Sequence, residues 1–316
     1  MTIICPLCQT RLTQEVTSQA TSKATSQAKS QVTATSSANT EIAQTEIAQT
    51  ETTQRNSRWV CQNSHSFDVA RQGYVNLLPV QHKNSKSPGD TPQAVQARRE
   101  FLQGGYYEPL REALMSVLAR LQADTVLDLG CGEGYYTSGM TDVAQQVIGL
   151  DIAKPAVQIA AKRYPRINWL VASAAKLPLQ DASVDVVSSF FSPLPRDEMA
   201  RVLKPHGYLL VAVPASQHLY ALRAALFEQV NLHQPEKFID TLAGGFKLVE
   251  QHLLAYPLRL PQAALRQLIA MTPYAWKAKA ERRMQLEQSD ELLTQASFQI
   301  YVFQKQAEVS SGEVIA

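Results

Sequence analysis

The sequence lacks the features that mark membrane and secreted proteins. Nowhere in its 316 residues is there an apolar run of about 18, the length that a membrane-spanning helix needs. The opening residues, MTIICPLC, contain neither the basic segment nor the apolar segment of a secretory signal. We therefore expect a cytoplasmic protein without a membrane partner.

Cysteine and net charge are also low. Four cysteines are too few to form a disulfide framework in a chain of this length. The formal net charge is +2, which by itself does not indicate a nucleic-acid partner. Hydrophobic residues make up 45% of the chain, so it can bury a core, and its length allows two domains.

Three of the four cysteines lie near the N-terminus in a metal-binding pattern. Cys5 and Cys8 form C-x2-C, and Cys61 and His65 form C-x3-H. In a chain without a disulfide framework, two such pairs predict a zinc site, which would organise a domain over residues 1–72. The alternative is that the cysteines are free core thiols and the histidine is incidental.

Residues 14–57 separate the two halves of this pattern. They are almost entirely Thr, Ser, Gln, Ala and Glu, so burial of hydrophobic side chains cannot offset their ordering entropy. We predict a disordered insertion. Lengthening the loop from about 12 to about 52 residues costs roughly 1.3 kcal/mol, far less than the about 10 to 16 kcal/mol of a structural zinc, so we expect the site to form.

Strands and helices alternate through residues 73–316, apart from a flexible tail from about 306. The clearer helices are expected at 92–103, 108–122, 135–144, 154–164 and 218–229. The strands are expected at 125–129, 147–151, 167–171, 184–190, 207–213, 246–254 and 297–304. This alternation predicts an α/β domain with a mostly parallel, seven-stranded sheet covered on both faces, in which the last two strands form an antiparallel edge pair.

The segment TVLDLGCGEGYYT, residues 125–137, has the pattern of a cofactor-binding turn. A short apolar strand is followed by glycines that let the backbone turn sharply against a ligand: Gly130, Gly132 and Gly134. The next strand ends at Asp151, the place of a ribose-binding acid in such folds. Because Tyr135 interrupts the dinucleotide fingerprint, a cofactor without a pyrophosphate is favoured over NAD or FAD.

This segment resembles motif I of the class I S-adenosylmethionine-dependent methyltransferases, which are Rossmann-like. Residues 172–179 and 200–211 are similar to two further motifs of that class. By this resemblance, Asp151 would bind the ribose hydroxyls, and Cys131 is either a further cofactor contact or a small core thiol. The cofactor-binding residues implied by the turn are Asp128, Gly130, Cys131, Gly132, Glu133 and Gly134.

Segments spread along the chain resemble a narrower family, the RlmA family of bacterial 23S ribosomal RNA (guanine-N1)-methyltransferases. They are CPLC, C-x3-H-S-F-D, GYVNLLPVQHK (73–83), SPGD (87–90), ARREFL (97–102), G-Y-Y-x-P-L (105–110) and MTPYAW (271–276).

The resemblance to this family implies ligands, a partner and a substrate. Zinc would be held by Cys5, Cys8, Cys61 and His65. Tyr107 and His218 would contact the cofactor, although His218 can equally be a packed helix-end histidine. The target would be a guanine of 23S rRNA in helix 35, at position 745, and a homodimer would hold the RNA in its cleft. A related branch methylates a neighbouring guanine, but this chain resembles the first branch more.

The charge distribution is compatible with RNA binding. Residues 71–111 contain six basic against three acidic residues, and residues 256–283 contain six against one. The aromatic residues in or near these stretches are candidates for base stacking: Tyr74, Tyr106, Tyr107, Tyr274 and Trp276. The alternative is that the charges lie on solvated helix faces and the aromatics in the core.

Methylation at guanine N1 requires loss of the N1 proton. Four acids are candidates to accept it, and none is favoured, so the catalytic residue is unassigned: Asp68, Asp90, Glu100 and Glu133. Methylation at a pyrimidine carbon usually needs a cysteine nucleophile in the target pocket, and it is disfavoured because three cysteines are assigned to zinc and the fourth, Cys131, lies in the cofactor turn. Two alternatives stay open, a small-molecule methyltransferase and a non-catalytic rRNA-binding assembly factor. The zinc pattern argues against the first, and the intact glycine turn argues against the second.

Overall fold

The computed structural model describes residues 3–18, 55–79 and 88–306. These residues form two sheets. The smaller sheet is antiparallel, in the order β1-β2-β3, with strands β1 (Leu12–Ser18), β2 (Arg55–Cys61) and β3 (Ser66–Asp68). β1 pairs with β2 along its whole length, from Leu12 opposite Cys61 to Ser18 opposite Arg55.

The predicted disordered insertion is wrong at both ends. Residues 14–18 belong to β1 and residues 55–57 belong to β2. The physical reason is that an antiparallel ladder is held by backbone N–H and C=O groups, which pair without large hydrophobic side chains. The remainder of the insertion, 19–54, lies outside the described residues, as does the tail beyond 306.

The larger sheet has eight strands in the order β10-β11-β9-β8-β5-β6-β7-β4. They are β4 (Tyr74–Asn76), β5 (Thr125–Leu129), β6 (Gln146–Asp151), β7 (Asn168–Val171), β8 (Val184–Phe190), β9 (Leu203–Pro214), β10 (Phe246–Pro261) and β11 (Glu291–Lys305). The strands from β4 to β9 are parallel, whereas β11 pairs antiparallel with both β9 and β10. The predicted class and the antiparallel pair are confirmed. The predicted count of seven is wrong, because the three-residue strand β4 joins the edge beside β7.

Ten helices are described in the same residues. They are α1 (Pro92–Gln103), α2 (Glu108–Arg120), α3 (Tyr135–Met140), α4 (Lys154–Arg163), α5 (Arg196–Val202), α6 (Tyr220–Leu226), α7 (Lys237–Leu242), α8 (Gln262–Ala270), α9 (Tyr274–Lys277) and α10 (Ala280–Glu287). Helices α1 to α4, α6 and α8 pack in one core cluster, and α5 and α7 pack in the other with the N-terminal segment. Both faces of the sheet are therefore covered, as predicted.

The local signals for α1 and β5 explain how the cofactor region is built. The Thr91 hydroxyl accepts a hydrogen bond from the Ala94 N–H at 3.2 Å, and Pro92 occupies the first turn, so α1 begins where predicted. All five residues of β5 are buried, which suits a central parallel strand. No helix in the described ranges is long and apolar enough to cross a membrane.

Candidate cofactor cavity and metal cluster

The four predicted metal ligands meet beside the small sheet. Their ligand atoms all lie within 4.8 Å of one another. The Sγ atoms of Cys8 and Cys61 are 3.6 Å apart, and His65 Nδ1 lies 3.4 Å from Cys61 Sγ and 3.5 Å from Cys5 Sγ. In a tetrahedral zinc site with Zn–S bonds of about 2.3 Å, neighbouring ligand atoms are roughly 3.8 Å apart or slightly less.

The donor set of this cluster fits zinc. Three thiolates and one imidazole form a common set of structural zinc ligands, and together they complete the coordination sphere. A zinc ion held here would have no open position for a substrate or water. The cluster is therefore suited to fixing the small sheet and not to catalysis.

The metal cluster is attached to the edge of the large sheet. The Ile4 N–H donates to the Pro178 carbonyl at 3.0 Å, and Ile3 forms a bridge with Leu179. Cys5 and Cys61 are buried in the core cluster on this face. Because residues 172–175 line the cofactor cavity, the metal-binding module lies close to one end of that cavity.

The turn after β5 needs its glycines for two reasons. Gly130, Gly132 and Gly134 have φ values of 80°, 54° and 87°, in the left-handed region that side chains disfavour. A Cβ atom on Gly130 would also lie 2.4 Å from the Cβ of Ser192, and one on Gly134 would lie 2.7 Å from the ring of Trp169. The turn therefore brings the backbone close to the end of β8 and leaves room for a ligand.

Asp151 at the end of β6 holds the turn in place. Its Oδ2 accepts a hydrogen bond from the Gly132 N–H at 2.9 Å, and its Oδ1 accepts one from the Ala153 N–H at 2.7 Å. Burial raises the pKa of this carboxyl, while the two backbone donors lower it. Since a carboxylate can accept further hydrogen bonds, Asp151 can also bind ribose hydroxyls.

Asp128 at the end of β5 is the most deeply buried acid of the site, with 2% of its surface exposed. It accepts hydrogen bonds from Thr137 Oγ1 at 2.6 Å and from Ser188 Oγ at 2.8 Å. Burial raises its pKa to about 6, although both hydroxyls favour the charged form. Asp128 therefore ties the start of α3 to β8 under the cavity.

A cavity of about 480 Å³ opens beside the turn. Four acids contribute to its wall: Asp90, Asp128, Glu133 and Asp151. Among the described residues that line it, Arg98 alone carries a positive charge. An acidic wall and a glycine turn without side chains fit S-adenosylmethionine, which carries a sulfonium and an ammonium group.

Six of the nine predicted cofactor residues line this cavity: Asp128, Gly130, Cys131, Gly132, Glu133 and Asp151. Gly134 instead packs below the turn against Trp169. Tyr107 and His218 are buried away from the wall. The Tyr107 hydroxyl lies 3.4 Å from His218 Nε2, and both rings pack on Phe298. Cofactor contact by these two residues stays a prediction.

Two of the four candidate proton acceptors reach the cavity wall, namely Asp90 and Glu133. Asp68 is exposed on β3, and Glu100 is exposed on α1, where it accepts a hydrogen bond from Gln96. Burial raises the pKa of Glu133.

Sequence reasoning missed several residues of the wall, including Arg98, Tyr136, Phe190, Phe191 and Ser192. The segment FFSPLP, residues 190–195, which begins at the last residue of β8, was the available signal for the last three.

The aromatic residues proposed for base stacking differ in exposure. Tyr74 and Tyr107 are only 4% and 5% exposed, so their predicted role in stacking on RNA is wrong, because both pack in the core. Tyr106 is half-buried and stacks on Phe101. Trp276, in contrast, is 69% exposed.

Comparisons with known proteins agree with this architecture. The family described as RlmA, N-terminal, matches residues 47–86, and the family described as methyltransferase domain matches residues 127–211. A Streptomyces fradiae protein named 23S rRNA (guanine(748)-N(1))-methyltransferase is 38% identical over 68% of this chain and 79% of its own length.

Two more relatives carry similar names. A protein of Micromonospora griseorubida, named for guanine-N1 methylation of 23S rRNA, is 35% identical over 70% of this chain and 81% of its own length. One of Bacillus subtilis with the same kind of name is 31% identical over 70% of this chain and 81% of its own length. The chain belongs to the family of S-adenosylmethionine-dependent 23S rRNA (guanine-N1)-methyltransferases.

Proposed function

We propose that this protein transfers a methyl group from S-adenosylmethionine to N1 of a guanine in 23S ribosomal RNA. The observation that carries the proposal is the similarity to the Streptomyces fradiae relative, which spans 79% of that protein. The cavity beside the glycine turn supports it, since its acids suit a cationic methyl donor. The metal-binding module supports the proposal as well, because it adds protein surface next to the cavity. A large acceptor such as RNA can contact that surface, whereas a small acceptor molecule would not need it.

The residues of the cavity would position the reactants. When bound, S-adenosylmethionine supplies an electrophilic methyl group. We assign the ribose contact to Asp151, and the methionine contacts to the turn that includes Gly130, Gly132 and Glu133. Most of the acceleration would come from holding donor and acceptor in line.

Phe191 is our candidate to hold the target base. It lines the cavity, is 44% exposed and has a left-handed φ of 58°, which is unusual for an aromatic residue. An aromatic face at the mouth of a methyltransferase cavity can stack on a base that has left its helix. The N1 edge of a paired guanine is occupied, so the base must be unpaired or flipped out.

A second surface is suited to RNA outside the cavity. A groove of about 310 Å³ is lined by Leu226, Phe227, Glu228, Gln229, Lys277, Lys279 and Arg282. The exposed Trp276 directly precedes Lys277 in the chain. Glu228 pairs with Lys279 at 2.6 Å, which leaves a positive excess in the groove. We propose that phosphates bind here and that Trp276 stacks on an unpaired base.

The finer parts of the proposal concern position, assembly and location. Helix 35 is the proposed target region. The position is 745 by the sequence resemblance, whereas the named Streptomyces fradiae relative acts on 748. We further propose a metal-binding domain of residues 1–72, a methyltransferase domain of residues 73–316, a homodimer and a cytoplasmic location.

A labelled methyl-transfer assay tests the function. The purified protein is mixed with labelled S-adenosylmethionine and with 23S rRNA, or with a mixture of small quinone and phenol acceptors. We expect label in N1-methylguanine of the RNA and none in the small acceptors. Label in the small acceptors alone would favour the small-molecule alternative, and cofactor binding without transfer to either would favour the assembly factor.

A further inference from the structure

The methionine part of the cofactor carries a carboxylate, which needs hydrogen-bond donors in an otherwise acidic cavity. The glycine turn has few donors to give. Four of its backbone N–H groups already have acceptors inside the protein at 2.8 to 3.1 Å: those of Gly130, Cys131, Gly132 and Gly134. These four N–H groups are therefore not free for the carboxylate, and a positively charged side chain is a stronger donor to it than a further backbone N–H.

Arg98 on α1 is suited to this task. It lines the cavity, and it carries the single positive charge among the described residues of the wall. Its Nη1 donates to Asp90 Oδ2 at 2.5 Å, and its Nη2 donates to the Met271 carbonyl at 3.3 Å. A guanidinium has five N–H groups, so three are left for a ligand.

The two partners of Arg98 hold it from different elements. Asp90 lies in the loop before α1, next to Gly89, where an added Cβ would lie 2.7 Å from the Cβ of Ala153, two residues after Asp151. Met271 lies at the end of α8. The guanidinium is therefore fixed before a ligand arrives, which reduces the entropy that binding must overcome.

We propose that Arg98 binds the carboxylate of the methionine moiety of S-adenosylmethionine, and that Asp90 is a positioning residue that holds Arg98 toward the cavity. This inference rests on the cofactor of the proposed function and adds a residue to its site. It makes the protein selective for donors that keep the carboxylate, because a donor without it forgoes the charge-assisted hydrogen bonds from the three remaining N–H groups of the guanidinium.

Decarboxylated S-adenosylmethionine is the matched probe, since it differs from the cofactor by this group alone. Calorimetric titration of the full-length protein, without RNA, gives both dissociation constants. We expect the wild-type protein to bind S-adenosylmethionine about ten- to hundred-fold more tightly than the decarboxylated compound. In Arg98→Met the preference should fall to within about three-fold, mainly through weaker binding of the intact cofactor.

Controls separate this role from a structural one. Arg99→Met changes the neighbouring arginine of α1, which is not part of the wall, and should keep the wild-type preference. Asp90→Asn should reduce the preference by less than Arg98→Met. Equal affinities of the wild-type protein for the two compounds would overturn the proposal even if Arg98→Met did not fold. A full preference retained by Arg98→Met would also overturn it, and would leave the proposed methylation of RNA standing.

Discussion

At the scale of single residues, the carboxylate of Asp151 has one observed role in the structure and one proposed role in binding. It accepts backbone hydrogen bonds from Gly132 and Ala153, and the ribose of the cofactor is its proposed ligand. Removing the carboxylate therefore loosens the turn and deletes a contact. Hydrogen bonds to a charged group are each worth about 1.5 to 3 kcal/mol, so either loss is large on the scale of binding.

We expect Asp151→Ala to weaken binding of S-adenosylmethionine about ten- to hundred-fold while the fold is kept. Isothermal calorimetry measures the affinity, and circular dichroism checks the fold. Asp142→Ala, which changes an exposed aspartate after α3, is the matched control and should bind as the wild type does. An unchanged affinity in Asp151→Ala would remove its assigned role.

His218 should make the stability of the protein depend on pH. Burial lowers the pKa of its imidazole to about 3, and the positive potential of His233 adds to the effect. In the unfolded chain the pKa is about 6.5. The folded state therefore excludes a proton that the unfolded state binds. The stability that the neutral ring contributes is fully present above pH 6.5 and is lost as the pH falls toward 3.

At pH 5 this loss amounts to about 2 kcal/mol relative to pH 7.5. His218→Gln keeps an acceptor for the Ser297 N–H. Between pH 7.5 and pH 5 we expect its free energy of unfolding to fall by about 2 kcal/mol less than that of the wild-type protein. Urea unfolding at the two pH values measures it. The control variant is His206→Asn, at an exposed site where the backbone is left-handed. Its free energy of unfolding should fall between pH 7.5 and pH 5 as much as that of the wild-type protein. An equal fall in the free energy of unfolding in all three proteins would show that protonation of His218 does not cause the loss of stability.

At this scale, the sequence was most informative where the signal was local. The glycine spacing and the acid at the end of β6 both lie in short segments, and six of the nine predicted cofactor residues line the cavity. The position of Arg98 in the cavity wall could not be predicted from a short segment. Its two hydrogen-bond partners, Asp90 and Met271, are far from each other in the sequence. Trp276 and Tyr74 are both aromatic residues, and their residue type does not reveal whether they are exposed. The structure shows that Trp276 is exposed and Tyr74 is buried.

At the scale of elements, β1 and β2 connect the metal cluster to the insertion. The ladder from Leu12 opposite Cys61 to Ser18 opposite Arg55 means that residues 19–54 close a loop between two strand ends that are already paired. The free energy of closing a loop depends on the logarithm of its length, so each doubling of the length of the insertion costs about 0.6 kcal/mol. The composition of the sequence predicted where the insertion lies. Its ends are set by the backbone pairing of β1 with β2, which extends to Ser18 and Arg55.

Replacing residues 19–54 with a four-residue turn should stabilise the protein by roughly 2 kcal/mol, because a shorter loop loses less entropy on closure. The shortened protein should still bind one zinc ion per chain, measured by atomic emission. Adding Cys5→Ser to it should abolish zinc binding. Loss of zinc from the shortened protein that still has Cys5 would mean that the insertion takes part in the site.

At the scale of the whole molecule, a metal-binding module is fixed to the edge of a methyltransferase sheet. Contacts of Ile3 and Ile4 with residues 178–179 place the module near the cavity. The alternation of strands and helices was enough to predict the class of the sheet. It did not predict β4, since three residues are too few to show a period, and their pairing with β7 joins distant parts of the chain.

The combination of module and cavity explains why an RNA base is the proposed acceptor. The small sheet adds surface beside the cavity, and the groove next to Trp276 adds positive charge. Phosphate contacts of this kind depend on salt, so RNA affinity should fall as the salt concentration rises, whereas cofactor affinity should change little.

The central claim is tested most directly by mass-spectrometric mapping of methylated guanines in 23S rRNA from cells with and without the gene. We expect one N1-methylguanine in helix 35 to disappear with the gene, and to return with the wild-type protein but not with Asp151→Ala. The mapped nucleotide would also decide between positions 745 and 748. An identical methylation pattern with and without the gene would contradict the account.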